Sequence, residues 1–465
     1  MWIKDWCCSR KYRYGPSNPQ HVECLVSVAA GTVDADRLSP RARRAVFGAW
    51  FGFFVDLFDI YLPVIALAPA TAYFAATGVS ATTSAIIDAS VFAATLVGRP
   101  LGALLFGHFA DRIGRRRVSV LSVVGFAVVT LLIAALPGYR QIGIAAVVLL
   151  IVLRFADGLF LGGEYTAATP LAMEYTPKRR RGLVGGLIST GFPVAYCAIS
   201  LLTLGMLQVV PAGGLDSPYV RWGWRVLFVV GAGVSLAFAV WYAKRVPESE
   251  AWQRSEAKAR TPIRALLSGR SGRTFAQVFV LMTGMWLTSY MLTAVLPRLL
   301  AAPVGLDSTR ITAILVVANA VVVFWYVGVG AASQRVGRRT TLMVGGAATA
   351  VLAPVVYALI VSGAVPSYPL LLVLVVLVTL LISTQWGCVT TYLNERFSVG
   401  VRASGYGLGY SLGMVVPAFY AFYQAGLQAV VPARYTAVVL LVLGGALTLV
   451  GAALGPDTRD TDLAR

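Results

Sequence analysis

Long apolar runs, separated by short polar or basic segments, dominate the sequence. Each run has about 20 residues or more, and a helix of that length crosses a hydrocarbon layer of about 30 Å. The pattern therefore predicts an all-α integral membrane protein with about twelve transmembrane helices. The predicted runs are 46–68, 85–109, 118–136, 142–165, 183–210, 224–243, 274–297, 311–331, 341–362, 369–391, 404–425 and 435–455.

The polar segments predict how these helices are grouped. Residues 1–44 form a basic tail, and residues 456–465 form a short tail at the other end. The longest internal polar segment, 246–273, follows the sixth run and is charged. We therefore predict two six-helix bundles, 45–245 and 274–455, joined by this loop.

Composition and charge support a membrane protein. Of the 465 residues, 58% are hydrophobic and only 13% are charged, whereas a soluble chain is nearer a quarter charged. The net charge of +19 comes from short basic clusters between apolar runs, so we expect no binding to nucleic acid. With both termini in the cytoplasm, 31 of the 39 Lys and Arg lie in cytoplasmic segments and six lie outside. This bias predicts a multi-pass plasma-membrane protein in that orientation.

A basic, glycine-containing loop follows the second run and recurs after the eighth. Its copies are GHFADRIGRR, from Gly107, and GAASQRVGRR, from Gly330. Glycine permits close helix approach and tight turns, and Asp111 can accept hydrogen bonds from Arg112 or a helix N-terminus. Gln334 replaces Asp111 in the second copy, which argues against a gating role there. The alternative is a basic cluster that only fixes topology. The predicted conformational gate comprises Gly107, Asp111, Arg112, Gly114, Arg115, Arg116, Gly337, Arg338 and Arg339.

A second pattern supports an internal repeat. Glu174 is followed seven residues later by Arg181, and Glu395 is followed seven residues later by Arg402. The two patterns repeat at offsets of 223 and 221 residues. Paired halves with a binding site at their interface are a recurrent design of transporters. The chain is therefore expected to be a transporter rather than an enzyme.

Ionisable residues inside the apolar runs are candidates for function, because they are costly in a bilayer. Asp56 and Asp59 lie one helical turn apart, and close carboxylates resist being ionised together. On the fourth run, Arg154 and Asp157 can pair as i, i+3 neighbours. Protonation could release Arg154 for an anionic substrate, or the pair could be a static contact between helices. We predict that Asp56, Asp59, Asp157 and Glu164 include the proton-coupling groups.

The predicted substrate contacts come from both halves. Arg99 lies deep in the second run and could bind a substrate anion or tie that helix to an aspartate of the first run. The C-terminal half offers neutral polar and aromatic groups, which suit a small-molecule cavity. Its better candidates are Asn319, Gln385 and Trp386. The sequence lacks a phosphate-binding loop, and His21 and His108 do not form a metal site, so no cofactor is expected beyond a proton gradient.

Several stretches resemble the major facilitator superfamily. The loop at Gly107 is similar to the superfamily's loop between helices two and three. Residues 99–102, 154–164 and 401–413 resemble the metabolite:proton symporter group. Residues 246–249, VPES, resemble a motif of sugar porters, whereas Asp56 and Asp59 are closer to aromatic-acid or sialate symporters. The resemblance implies the major facilitator fold and proton symport.

These observations predict a proton-coupled symporter that takes up a small polar metabolite, either an organic anion or a zwitterion. It would work as a monomer in the lipid bilayer, with two bundles that rock around a midplane site. One alternative is a proton-driven exporter. Another is a membrane receptor or scaffold that has lost transport.

Overall fold

The structure, a computed structural model, describes residues 38–74, 81–248, 266, 268–302, 304–398 and 401–463. Most of the predicted N-terminal tail and of the predicted loop between the bundles lies outside this part. The side chain of Asp111 also lies outside it, so its predicted contacts stay a prediction.

Regular structure in the described residues is helical and forms twelve successive segments. Short π and 3₁₀ turns connect several of them. The segments are α1 (Pro40–Tyr61), α2 (Ala81–Ile113), α3 (Arg115–Ala135), α4 (Ile144–Glu174), α5 (Arg181–Ser189 and Gly191–Val209), α6 (Trp224–Arg245), α7 (Gly269–Tyr290 and Leu296–Ala301), α8 (Ser308–Val336), α9 (Arg338–Val361), α10 (Tyr368–Ser383 and Trp386–Arg396), α11 (Arg402–Leu412, Val415–Ala418 and Tyr420–Leu427) and α12 (Thr436–Ala453).

Eleven helices of the described chain are long and apolar enough to cross a membrane. The predicted run 404–425 differs, because α11 is broken into three shorter helices. Gly413 lies at the first break, where a Cβ atom would come within 2.6 Å of the Met282 Cβ on α7. Pro417 follows and has no backbone N–H to donate. The predicted all-α fold of about twelve segments is confirmed, with this one interruption.

The fourth helix is longer than its predicted run, 142–165. It continues to Glu174, and the hydroxyl of Thr166 within the extension donates to the Gly162 carbonyl oxygen at 2.6 Å. Because this hydroxyl finds its hydrogen-bond acceptor within the same helix, it can be buried without losing a hydrogen bond. The extension carries Glu174 to the face of the molecule where the two Gly-Arg-Arg loops lie, which we call the loop face.

Helix contacts divide the chain into two groups. Within the first six segments, α4 packs against α1, α2 and α3, and within the last six, α12 packs against α7 and α9. The groups meet where α5 contacts α8 and α10, and where α11 contacts α2 and α4. At these crossings small residues permit close backbone approach; a Cβ atom at Gly186 would lie 2.4 Å from the Tyr326 carbonyl oxygen. This grouping fits two six-helix bundles, while the exact bounds of their connecting loop stay a prediction.

Candidate transport site and gate

A fully buried ion pair joins the first two helices. The guanidinium group of Arg99 donates to both carboxylate oxygens of Asp56, at 3.0 and 2.9 Å. Both side chains are completely inaccessible to solvent. We predicted that Arg99 binds either a substrate anion or an aspartate of the first helix. In the structure it binds the aspartate, Asp56.

A second buried cluster surrounds Arg154 on α4. Its Nη1 atom lies 2.8 Å from the Asp157 carboxylate and 3.4 Å from that of Asp59. The hydroxyl of Thr130 on α3 also donates to Asp59. The predicted i, i+3 pairing is confirmed, and the structure adds Asp59 as a second acceptor. Arg154 retains Nε and Nη2 without a hydrogen-bond acceptor in the described chain, so it has spare donor capacity.

The carboxyl group of Glu164 on α4 is a further buried ionisable group near these two clusters. Neither of its carboxylate oxygens has a hydrogen-bond partner among the described residues, although the side chain is buried. Gly52 on α1 makes room for it, because a Cβ atom there would lie 1.9 Å from Glu164 Oε1. The carboxyl group is therefore enclosed and unpaired.

The charges of these clusters do not balance. Among the described residues, four buried carboxyl groups, those of Asp56, Asp59, Asp157 and Glu164, are matched by only two buried guanidinium groups, those of Arg99 and Arg154. An uncompensated charge in a membrane interior is expensive, and such groups become neutral or find a partner. The arrangement can therefore hold protons as well as ion pairs.

A small aromatic cavity lies between the two groups of helices. It has a volume of only about 20 Å³, roughly the space for one water molecule. Its described lining residues are uncharged and come from both halves. They are Phe53, Leu57, Tyr61, Ser189, Phe192, Trp286, Ser289, Tyr326, Trp386, Thr390 and Tyr410.

Only one of the three C-terminal candidates lines this cavity. Trp386 does, and its indole N–H has no acceptor in the described chain. Asn319 instead donates to the Leu315 carbonyl oxygen of its own helix at 2.8 Å. Gln385 donates to Thr349 at 3.4 Å, towards α9. The structure therefore does not bring Asn319 and Gln385 to the cavity together with Trp386.

A larger cavity opens on the face opposite the loop face. Its volume is about 760 Å³, and residues of both halves line it, including Pro63 and Thr203 from one half and Arg298 and Thr312 from the other. Tyr61, which lines the small cavity, contacts Tyr196, which lines the large one, with ring centroids 5.4 Å apart. The molecule is thus open on the opposite face, and an aromatic layer lies between the two cavities.

The two glycine turns have matching geometry at the loop face. Gly114 and Gly337 have φ values of 108° and 104°, which favour glycine. After each turn, a distant carboxylate accepts from the first backbone N–H groups of the next helix. Glu248 accepts from Arg115 at 2.9 Å, and Asp457 accepts from Arg338 at 3.3 Å. Sequence analysis noted Glu248 only within the VPES motif, without this contact, and missed Asp457; their positions shortly after the sixth and twelfth helices were the available signal.

The arginines of the two loops also make matching contacts. The side chain of Arg116 donates to the Ala243 carbonyl oxygen, and that of Arg339 donates to the Ala453 carbonyl oxygen at 2.8 Å. Arg112 is exposed. Each loop is therefore held against the last helix of its own half.

Glu174 links the two halves at the loop face. Its Oε1 atom accepts from Arg115 on α3, and from Arg402 on α11 at 2.9 Å. Its counterpart Glu395 accepts from Arg338 at 3.3 Å, within the C-terminal half. Sequence analysis used Glu174 and Arg402 only as markers of the repeat and missed their pairing.

Close backbone approaches complete the closure. A Cβ atom at Gly107 would lie 3.2 Å from the Ser404 Cα, and one at Gly182 would lie 2.4 Å from the Gly330 carbonyl oxygen. Gln334, whose presence in place of an aspartate argued against a gating role, accepts from the Gly182 N–H at 3.2 Å and therefore joins the halves.

The segment after α12, residues 456–463, lies across the loop face. Arg181 donates to the Thr461 carbonyl oxygen and Arg402 to that of Leu463, both at 2.8 Å. Lys178 pairs with Asp460 at 3.2 Å. Its ammonium group lowers the pKa of Asp460 below the ordinary value of 3.8. The segment therefore contacts both halves at the closed face.

Two helical halves around a cavity that opens on one face have the architecture of a membrane transporter. The sequence profile of the Major Facilitator Superfamily matches residues 49–421, and the chain belongs to this family. It is 30% identical to the alpha-ketoglutarate permease of Escherichia coli over 83% of this chain and 88% of that protein. It is 24% identical to the proline/betaine transporter of Escherichia coli over 86% and 82%. Its fold resembles a proton:xylose symporter structure, with a TM-score of 0.74, 15% identity and coverage of 92% and 98%. The chain is therefore a transporter and not an enzyme.

Proposed function

We propose that this transporter is a proton-coupled symporter that takes up a small organic anion or zwitterion. The observation that carries the proposal is the surplus of buried carboxyl groups over guanidinium groups in α1, α2 and α4. Glu164 has no hydrogen-bond partner in the part of the chain that the structure describes, and Asp59 and Asp157 share Arg154. Protons are the simplest compensation for this surplus, and binding them near neutral pH is what coupling requires.

The pairing around Arg154 suggests how a proton and a substrate are linked. In the described state Arg154 is held by Asp157 at 2.8 Å and by Asp59 at 3.4 Å. A proton on either carboxyl group weakens that hold, because a neutral acid attracts a guanidinium group less than a carboxylate does. Arg154 can then turn its free donors towards a substrate or a water molecule in the opened site.

The cavities suggest the direction of access. The basic residues predict that the loop face and both termini are in the cytoplasm of the cell. In that orientation the cavity of about 760 Å³ is open to the outside, while Glu174 and Arg402 close the inside. We propose that one transporter, acting as a monomer in the plasma membrane, alternates between this state and one open to the cytoplasm.

The relatives leave the substrate class open. One is named for alpha-ketoglutarate, a dicarboxylate, and another for proline and betaine, which are zwitterions. Both kinds of compound fit the proposal, so the names alone do not choose between them.

Proton flux in proteoliposomes tests the proposal. A pH-sensitive dye is trapped inside, and alpha-ketoglutarate, shikimate, glycine betaine, proline and xylose are added outside in turn. We expect one compound to acidify the interior, and Asp157→Asn to abolish that signal. Asp216→Asn is the matched control, because Asp216 forms an exposed ion pair with Arg140 away from the cluster.

Two results would overturn the proposal. If uptake of a compound proceeds without internal acidification, the coupling ion is not the proton. If no compound moves protons inward but an imposed pH gradient expels a compound, the exporter hypothesis replaces uptake.

A further inference from the structure

Three aromatic rings form a corner of the small cavity. The interplanar angles are 66° between Trp286 and Trp386, 88° between Trp286 and Tyr410, and 76° between Trp386 and Tyr410. The ring centroids lie 4.7 to 6.2 Å apart. All three rings line the small cavity, so their inclined rings border one space from which an aromatic cage can form. The hydrogen bond from the Trp286 indole to the backbone carbonyl oxygen of Tyr410, at 3.0 Å, orients the Trp286 ring.

The charges around the corner favour a cation. No described lining residue is charged, so the described lining offers neither arginine nor lysine to bind an anion directly. The guanidinium group of Arg99 lies over the Tyr165 ring, 4.8 Å from its centroid, and the Tyr165 ring packs against that of Tyr410, with ring centroids 4.9 Å apart. Asp56 neutralises Arg99. The aromatic faces of the lining themselves attract cations.

We infer that the cavity binds the quaternary ammonium group of a small zwitterion when the halves separate enough to admit it. The inference rests on the proposed function and chooses between the substrate classes that the function leaves open. The carboxylate of such a zwitterion has suitable donors at the rim: the unpaired indole N–H of Trp386 and the hydroxyl of Ser289. A dicarboxylate would find no opposite charge in this space.

A pair of isosteric ligands tests the inference directly. Glycine betaine and 3,3-dimethylbutanoate have the same shape and a carboxylate, but only the former has a positive charge. Binding of each to the purified full-length protein in nanodiscs is measured by calorimetry. We expect glycine betaine to bind at least tenfold more tightly, which corresponds to about 1.4 kcal/mol.

Variants locate the discrimination at the corner. Trp386→Leu should reduce the ratio of the two dissociation constants from tenfold to about twofold or less. Trp386→Phe should give a ratio between those of the natural protein and of Trp386→Leu. Trp325→Leu is the matched control and should leave the ratio unchanged, because Trp325 lies outside the cavity and donates to Thr384. A thermal unfolding curve for each variant identifies those that are folded.

The outcomes separate this inference from the proposed function. Equal binding of the two isosteres, no binding of either, or a ratio that Trp386→Leu leaves unchanged overturns the cage. If alpha-ketoglutarate then still drives proton uptake, the proposed function stands without it. If glycine betaine binds with the expected ratio but no compound moves protons, the cage stands and the coupling fails.

Discussion

Replacing Glu174 should open the loop face while leaving each half intact. Its carboxylate accepts from Arg115 in its own half and from Arg402 in the other, and all three side chains are buried. Glu174→Gln keeps the size of the side chain but removes the negative charge between two guanidinium groups. The closed face then contains two buried cations without their shared anion.

The size of the effect follows from the burial of these groups. Removing one partner of a buried ion pair costs about 3–5 kcal/mol, because the remaining charge is left uncompensated. Separation of the halves lets water reach Arg115 and Arg402, so most of this cost applies only to the closed state. A difference of about 3 kcal/mol changes the ratio of closed to open molecules on the order of 100-fold.

Distances between spin labels report this ratio. Labels are placed on cysteines at Ile113 and Val336, which precede the two glycine turns and are exposed, after the five native cysteines are replaced by serine. Glu174→Gln should shift the distribution to longer distances. Glu248→Gln is the matched control, because the hydrogen bonds described for its carboxylate come from the backbone N–H groups of Arg115 and Arg116 in its own half. An unchanged distribution for Glu174→Gln, or equal opening by both variants, would refute the reasoning.

Three further predictions concern stability and the C-terminal segment. Arg99→Met should lower the free energy of unfolding by about 3–5 kcal/mol, because it leaves the buried Asp56 carboxylate unpaired. Adding Asp56→Leu should restore most of this free energy, as measured by thermal unfolding. A double variant as unstable as Arg99→Met would contradict this prediction. Gly114→Ala should lower the free energy of unfolding by about 1–3 kcal/mol, because the φ of 108° at this position disfavours a residue with a Cβ atom. An unchanged midpoint of thermal unfolding would contradict this prediction. Because Lys178 lowers the pKa of Asp460, that ion pair should persist above about pH 4 and weaken only as the pH falls further. Protease trimming of the C-terminus should therefore be constant from pH 5 to 8 and faster in Asp460→Asn; a change within that range would contradict the assignment.

Local patterns in the sequence predicted much of this architecture. Run length predicted the membrane helices, and the spacing of Arg154 and Asp157 predicted their contact, because neighbours on one helix follow from its period. The recurring Gly-Arg-Arg loops predicted two similar turns, and Gly114 and Gly337 adopt nearly the same backbone angles. These features depend on residues close in the chain.

Contacts between distant residues were not predictable in the same way. Glu248 lies 133 positions from the Arg115 N–H that it accepts from, and Arg402 lies 228 positions from Glu174. Hydropathy does not indicate which carboxylate reaches which helix end, since that depends on how the helices pack. The internal repeat was the one sequence feature that bore on such distant contacts. Two similar halves related by pseudo-symmetry should place their matching charges at a shared interface.

The halves are alike at the loop face and different in the membrane interior, and this difference bears on coupling. The N-terminal half holds the buried carboxyl groups, whereas the C-terminal half supplies the three rings of the cage. Tyr165 connects them: its ring covers Arg99, packs on Tyr410, and its hydroxyl donates to the Gly407 carbonyl oxygen at 3.1 Å. A substrate that displaces Tyr410 would disturb this contact, and with it the Arg99–Asp56 pair. Under the proposed mechanism, the proton and substrate sites are thus neighbours across one aromatic layer.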